Sequence, residues 1–236
     1  MKKLGILYGI SIGTGDPELI TVKGLKTLQN CSIVAFPEGI KGKEGIAQKI
    51  ISPWLKPQQI QLSLEFPYIH DETLLKKAWK VAALKVYEYL KQGLNVAFAC
   101  LGDVNFYSTF TYLAQTLQEL DYQVSIETIA GVSSPFATAS ALGIPLTVKE
   151  EKLVILPTLY HVDELEKVLQ WAEVIVLMKV ASVYEKVWKI LEKNNCLKNS
   201  YIVEKVTFPE EKIYKNLEKY PSLKLSYFSL LIIQVK

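Results

Sequence analysis

Apolar residues along the chain alternate between two spacings. Short runs rich in Val, Ile, Leu and Phe are typical of strands that are buried on both faces of a sheet. They lie at residues 4–12, 33–36, 95–100, 152–156, 173–178, 200–206 and 229–235, with a weaker candidate at 59–62. Helical spacing fills the intervals and predicts helices at 18–30, 45–51, 107–120, 134–142, 162–171 and 182–194.

The clearest helical pattern begins after Asp71, a residue suited to cap a helix N-terminus. Its apolar face runs from Leu74 to Tyr89, and Gly93 stands in a common helix-stop position. Strands that alternate with helices indicate an α/β protein with a largely parallel sheet. A predicted boundary near Leu120 divides the chain into two α/β domains, 1–120 and 121–236.

The composition is that of a globular protein, with 50% hydrophobic and 22% charged residues among 236. No apolar run reaches the roughly 18 residues of a membrane span, so no membrane partner is expected. Cys31, Cys100 and Cys196 are widely separated, which favours a reducing cytoplasm over a disulfide framework. The two histidines, His70 and His161, are far apart, and the sequence predicts no protein-bound metal.

All 27 basic residues are lysine, and the net charge is only +3. Arginine is the usual choice for bidentate contacts to phosphate, so its absence argues mildly against a nucleic-acid partner. Lysine can still bind carboxylates as a point charge. A lysine bias of the genome accounts for most of this pattern.

Two predicted strands stop in a Gly-Asp pair. The first junction, Gly13–Glu18, reads Gly-Thr-Gly-Asp-Pro-Glu, and the second begins Leu101-Gly102-Asp103. Ligands of open α/β sheets bind at the carboxyl ends of strands. A dinucleotide loop would need a third glycine at the position of Glu18, so the residues alone favour a tight turn with an Asp cap at the first junction.

The second junction leaves two roles open for Asp103. Its carboxylate is suited to accept hydrogen bonds from a ribose or an amino group, and equally suited to cap a helix that begins near Tyr107. A third stretch, Ile129–Phe136, again runs from strand through glycine and small hydroxyls to a helix. Small side chains let a ligand approach the backbone, although a serine cap followed by Pro135 is an ordinary helix start.

In combination, the three stretches resemble the tetrapyrrole methylase family, whose members use S-adenosylmethionine in corrin and sirohaem synthesis. The family's opening Gly-x-Gly-Asp-Pro-x-Leu loop matches residues 13–19, its later Gly-Asp motif matches Gly102-Asp103, and its Pro-Gly-Val/Ile-Ser/Thr-Ser/Ala motif matches residues 130–134. The chain departs from the family pattern at Thr14 and Ala130, where proline is common. Lys205 also departs from it, since arginine is frequent there.

Within the family, the chain most resembles the precorrin-2 C(20)-methyltransferases. The features that carry this likeness are Val104 after Gly-Asp, the segment 107–113, the segment 131–136, Leu177-Met178-Lys179 and the segment 207–210. The resemblance implies methylation of the position-20 carbon of precorrin-2 or cobalt-factor II, both reduced tetrapyrroles that bear many carboxylates. Another ring position, or a diphthine synthase-like activity, is the alternative, and a non-catalytic nucleotide-binding module is the third hypothesis.

The resemblance also implies two α/β domains with the active site in the cleft between them, and a homodimer. S-adenosyl-L-methionine would be the methyl donor. By position in the motifs, its pocket would include Thr14, Leu101, Gly102, Asp103, Phe106, Ser133, Ser134, Met178, Val206 and Ser229. No catalytic base is assigned, because the sulfonium leaving group is already activated and alignment supplies much of the rate enhancement. Lys179 and Lys205 are candidates for contacts to substrate carboxylates.

Overall fold

A computed structural model describes residues 3–39, 43–69, 71–157 and 162–235. These residues form two compact units, 1–133 and 134–236. His70 and His161, on which the expectation about metal binding depended, lie outside the described residues. No helix in the described ranges is long and apolar enough to cross a membrane.

The first unit is built around a five-stranded sheet with the order β3-β2-β4-β1-β5, in which every pairing is parallel. Its strands are β1 (Ile6–Ser11), β2 (Ile33–Pro37), β3 (Ile60–Leu64), β4 (Val96–Cys100) and β5 (Ser125–Ile129). Its helices are α1 (Val22–Asn30), α2 (Ile46–Ile51), α3 (Glu72–Leu90) and α4 (Phe110–Leu120), with single 3₁₀ turns at Pro17–Leu19 and Ser52–Trp54.

The second unit contains a five-stranded sheet with the order β6-β7-β10-β8-β9. Its strands are β6 (Leu153–Leu156), β7 (Val174–Met178), β8 (Ser200–Glu204), β9 (Lys212–Lys215) and β10 (Ser229–Gln234). Its helices are α5 (Ser134–Leu142), α6 (Asp163–Val168) and α7 (Tyr184–Lys193), with 3₁₀ turns at Val180–Ser182, Leu197–Asn199 and Leu217–Lys219.

The prediction of two α/β domains is confirmed, and the predicted parallel arrangement holds throughout the first sheet. In the second sheet only β6 and β7 run parallel, because β10 is antiparallel to both of its neighbours and β9 returns antiparallel to β8. The predicted boundary at residue 120 also differs from the observed division. Strand β5 pairs with β1, so residues 125–129 complete the first sheet.

Each sheet has its own apolar core. In the first, Leu7 of β1 and Phe98 of β4 pack with Val86 of α3 and Leu113 of α4 in one buried cluster. All five residues of β4 are buried, as expected for a central parallel strand. In the second, Leu177, Ile202 and Leu231 of three adjacent strands belong to a cluster with Val187 and Leu191 of α7.

Local capping explains where several helices begin. The Asp71 carboxylate accepts hydrogen bonds from the amides of Thr73 and Leu74 at 2.9 and 3.0 Å, as its pattern predicted. The helix predicted over 18–30 is interrupted, because Thr21 adopts an extended conformation and caps a new helix by accepting from the Gly24 amide. The helix predicted from residue 107 starts at Phe110, since Tyr107 has φ 51°.

Candidate functional site

The carboxyl ends of β1, β4 and β5 lie side by side in the first sheet, since β1 pairs with both of the others. The loops that follow β1 and β4 are joined directly. The amide of Gly102 donates to the carbonyl of Gly13 at 2.7 Å, and both glycines have φ +74°. This conformation strains residues that have a side chain, so the two glycines allow the loops to meet.

Asp103 connects the β4 loop to the loop after β5. Its Oδ1 accepts from the amide of Asn105 at 2.8 Å, and its Oδ2 accepts from the amide of Gly131 at 2.7 Å. The Ser11 hydroxyl lies 3.4 Å from the same Oδ2. Of the two roles that the sequence left open, capping of the following helix is excluded, because α4 begins only at Phe110. Asp103 instead fixes the relative positions of the loops.

Ser11, at the end of β1, is a buried junction of the same network. Its hydroxyl donates to the carbonyl of Ile129 at 2.7 Å and accepts from the amide of Val104 at 2.8 Å. A Cβ atom added at Gly131 would lie 2.4 Å from the Ser11 Cβ. The three stretches singled out in the sequence therefore converge in the first unit, where one hydroxyl and one carboxylate hold them together.

The loop that follows β1 contains the tight turn predicted from the residues. The side chain of Asp16 accepts from the Glu18 amide at 2.8 Å and caps the 3₁₀ turn Pro17–Leu19. Trp54 donates its indole N–H to the Pro17 carbonyl at 3.1 Å. Thr14 is buried in this loop.

After Asp103 the chain forms an aromatic and polar segment that leads into α4. The rings of Phe106 and Tyr107 meet edge-on, with centroids 4.7 Å apart. The Ser108 hydroxyl accepts from the Phe110 amide at 3.0 Å and lies 2.8 Å from the Cys100 sulfur. Burial raises the pKa of the Cys100 thiol to about 11, so this sulfur stays protonated at neutral pH.

A second group of predicted residues meets at one edge of the second sheet. Strand β10 starts beside the ends of β7 and β8, where Leu230 pairs with Met178 and Ser229 pairs with Glu204. Val206 follows β8 by two residues and is buried. Lys179 and Lys205, the residues immediately after the two strands, have φ 55° and 49°.

The predicted binding residues are thus distributed over both units. Thr14, Leu101, Gly102, Asp103, Phe106 and Ser133 belong to the first unit, and Ser134, Met178, Val206 and Ser229 belong to the second. Sequence reasoning missed Ser11, which could have been recognised as a small polar residue at the end of an apolar strand. It also missed Glu204, which is 6% exposed and accepts from the Tyr214 hydroxyl at 3.0 Å and the Ser226 amide at 2.6 Å.

The described residues contain no group of three or more His, Cys, Asp or Glu side chains arranged to hold a metal ion.

Comparison with known proteins identifies relatives over most of the chain. Residues 6–220 match the family Tetrapyrrole (Corrin/Porphyrin) Methylases. The chain is 37% identical over 202 residues to the "probable cobalt-precorrin-2 C(20)-methyltransferase" of Methanocaldococcus jannaschii, covering 86% of this chain and 83% of the relative. It is 28% identical over 205 residues to the cobalt-precorrin-2 C(20)-methyltransferase of Salmonella typhimurium, covering 87% and 85%.

Solved structures share the fold. A cobalt precorrin-4 methyltransferase superposes with a TM-score of 0.69 at 22% identity, covering 98% of this chain and 95% of that one. The uroporphyrin-III C-methyltransferase of Thermus thermophilus, solved with S-adenosylhomocysteine, superposes with a TM-score of 0.66 at 18% identity and 97% coverage of both chains.

Proposed function

This chain belongs to the tetrapyrrole methylase family, and we propose that it transfers a methyl group from S-adenosylmethionine to the position-20 carbon of precorrin-2 or cobalt-factor II. The relatives from Methanocaldococcus jannaschii and Salmonella typhimurium, which carry C(20)-methyltransferase names, support this ring position. Both alignments extend over more than four-fifths of this chain and of the relatives, so they include both units.

The joined loops after β1, β4 and β5 carry the proposal for the methyl donor. Gly102 has φ +74°, and a Cβ atom added there would meet no atom within 4 Å. The space that a side chain would enter at this position is therefore empty, while the Gly13 carbonyl holds the loop in place. In our proposal Leu101, Gly102, Asp103 and Phe106 line the donor site, together with Thr14, Ser133, Ser134, Met178, Val206 and Ser229.

The chemistry that this site has to support is an in-line displacement. The bridge carbon at position 20 is enamine-like and attacks the sulfonium methyl, whose bonding electron pair leaves with sulfur, and the carbon then releases its hydrogen as a proton. Holding two reactants in line supplies much of the barrier reduction. A rigid loop network serves this purpose, and both Asp103 oxygens are already used to order backbone amides.

Two measurements test the proposal. Isothermal calorimetry should detect binding of S-adenosylmethionine to the purified protein, and absence of binding would exclude the methyltransferase function. Incubation with precorrin-2 and, separately, cobalt-factor II should add the mass of one methyl group to the preferred tetrapyrrole, with S-adenosylhomocysteine as the second product. The comparison of the two substrates decides whether cobalt is inserted into the tetrapyrrole before this methylation.

A different ring position is the second candidate, because a cobalt-precorrin-4 C(11)-methyltransferase from Priestia megaterium is 29% identical over 192 residues. Carbon-13 NMR of a product made with labelled donor would place the methyl group. A signal from the bridge carbon at position 20 supports our proposal, and one at any other carbon rejects it.

We also propose that the protein forms a homodimer, as the family resemblance implies. Sedimentation equilibrium should give twice the mass of the 26.7 kDa chain.

A further inference from the structure

Two lysines stand on opposite sides of the start of β10. Lys179 directly follows β7 and Lys205 directly follows β8, and β10 lies between those strands. Two strand spacings separate their backbones, or about 10 Å. Both side chains therefore belong to the same edge of the second sheet as the proposed donor-site residues Met178, Val206 and Ser229.

The backbone at both lysines is strained. Lys179 has φ 55° and Lys205 has φ 49°, values at which a residue with a Cβ atom costs about 1–2 kcal/mol. Glycine would adopt this conformation without that cost. Strained residues of this kind persist where the surroundings fix them, and they cluster at ligand-binding sites.

The surroundings that fix them centre on the segment Ser226–Phe228. The buried Glu204 carboxylate accepts from the Ser226 amide at 2.6 Å, and the Lys205 amide donates to the Phe228 carbonyl at 2.7 Å. On the other side, the Lys179 ammonium lies 5.8 Å from the centre of the Tyr227 ring. The segment thus connects the two lysines, and its Tyr227 ring lies beside Lys179.

Neither ammonium is held by a strong partner among the described residues. Lys205 pairs with Glu210 at 3.8 Å, and the two side chains are 40% and 63% exposed. A pair with this separation and exposure contributes little to stability. The Lys179 ammonium has the Tyr227 ring, an interaction that is weak at exposed sites. A ligand carboxylate would therefore displace these partners at low cost.

We infer that Lys179 and Lys205 form a carboxylate-binding pair for the tetrapyrrole, with the Tyr227 ring beside it to contact the macrocycle. This inference rests on the proposed function, and it names which residues recognise the substrate's acid side chains. Because the chain has no arginine, each contact is a single point charge.

The test uses uroporphyrin III, a stable porphyrin with carboxylates on all four rings, as a probe whose fluorescence reports binding. Lys179→Gln and Lys205→Gln should each weaken its affinity about fivefold, as expected for a partly exposed ion pair. The double variant should lose about 25-fold if the two contacts act independently. Lys189→Gln, which removes an exposed lysine from α7, is the matched control and should bind as wild type.

A second readout separates a binding role from a structural one. Lys205→Arg should keep the uroporphyrin affinity that Lys205→Gln loses. Added salt should weaken uroporphyrin binding more steeply in the wild type than in the double glutamine variant. In turnover, KM for the tetrapyrrole should rise in the glutamine variants while calorimetric affinity for S-adenosylmethionine is unchanged. Equal uroporphyrin affinity in wild type and the double variant, or an equal loss in the Lys189 control, would overturn the inference.

Failure of the inference can be told apart from failure of the proposed function. A wild-type protein that methylates precorrin-2 but loses nothing in the lysine variants rejects only the lysine pair. A wild-type protein that does not bind S-adenosylmethionine rejects the methyltransferase function itself.

Discussion

The Asp103 carboxylate accepts a hydrogen bond from the Gly131 amide at 2.7 Å, although the two residues are 28 positions apart in the chain. This bond joins the loop after β4 to the loop after β5. Asp103 therefore orders the loops of the proposed donor site through its own hydrogen bonds, and this role does not depend on a contact to a ligand. Its replacement should affect both stability and binding.

We expect Asp103→Ala to lower the free energy of unfolding by about 1–3 kcal/mol, because the amides of Asn105 and Gly131 lose their acceptor. Affinity for S-adenosylmethionine should fall as well, since the loops lose their fixed positions. Urea denaturation and calorimetry measure the two effects. Asp103→Asn should be intermediate, because its side chain offers one acceptor oxygen in place of two.

Asp71→Ala is the matched control for this prediction. Asp71 also accepts from two backbone amides, but it does so at the start of α3. Loss of the helix cap should cost about 1 kcal/mol and leave donor affinity unchanged. Full donor affinity in a folded Asp103→Ala variant would contradict the role assigned to this loop.

Gly102→Ala tests whether the backbone of the β4 loop faces the donor. Gly102 and Gly143 have φ +74° and +68°, and neither has an atom within 4 Å of an added Cβ. Alanine should therefore cost about 1–2 kcal/mol of stability at either position, through backbone strain alone. Only Gly102→Ala should reduce affinity for S-adenosylmethionine, and an equal effect of Gly143→Ala would argue against a donor site at Gly102.

The Tyr87 hydroxyl donates to the Asp121 carboxylate at 2.7 Å, which links α3 to the residue after α4. This hydrogen bond lowers the pKa of Asp121 and raises the pKa of Tyr87. The contribution of Asp121 to the stability of the fold is present above its unfolded pKa near 4 and is lost as the pH falls through the lower folded pKa. That of Tyr87 is present below a pH of about 10 and is lost as the pH rises through the higher folded value.

Tyr87→Phe should accordingly lower the melting temperature at neutral pH, and the difference from wild type should shrink toward both acid and alkaline pH. Circular dichroism melts across the pH range measure this profile. Tyr89→Phe removes a neighbouring hydroxyl on α3, and its difference in melting temperature from wild type should not shrink toward acid and alkaline pH. A Tyr87→Phe difference that persists undiminished in acid would exclude the proposed coupling.

The cysteine thiols should be unreactive in the folded protein. Burial raises the pKa of Cys31 and of Cys100 to about 11, and raises that of Cys196 as well. At pH 8 a thiol of pKa 11 is thiolate in only about one molecule in a thousand. Ellman's reagent should label all three cysteines in denaturant and react far more slowly without it, whereas one rapid thiol in the native protein would contradict this burial.

The sequence predicted most strands and helices because their apolar residues recur with a strong periodicity and form their buried faces. Asp71 illustrates this success, since the cap and the apolar face that follows it are local features of the chain. The arrangement of the second sheet was not accessible in this way. An apolar run such as 229–235 is equally compatible with either strand direction, because side-chain pattern does not encode which neighbour a buried strand selects.

The short edge strand β9 was missed for a different reason. In Lys212–Lys215 two lysines flank Ile213 and Tyr214, and a segment of four residues with this composition is too short and polar to stand out as a strand. The candidate site was predictable only as a set of loops. The hydrogen bond from Gly131 to Asp103 and the convergence on Ser11 depend on strand order, which places β1 between β4 and β5.

The position of β10 has a consequence for the order in which the chain folds. The first sheet has all its strands once residue 129 has been synthesised, whereas the second waits for its central strand, Ser229–Gln234, which bridges β7 and β8. Until that strand emerges, the β6–β7 and β8–β9 pairs have no hydrogen-bonded connection to each other. Domains generally fold in order of synthesis, so we expect the second unit to be the one that exposes unpaired strand edges to aggregation during translation.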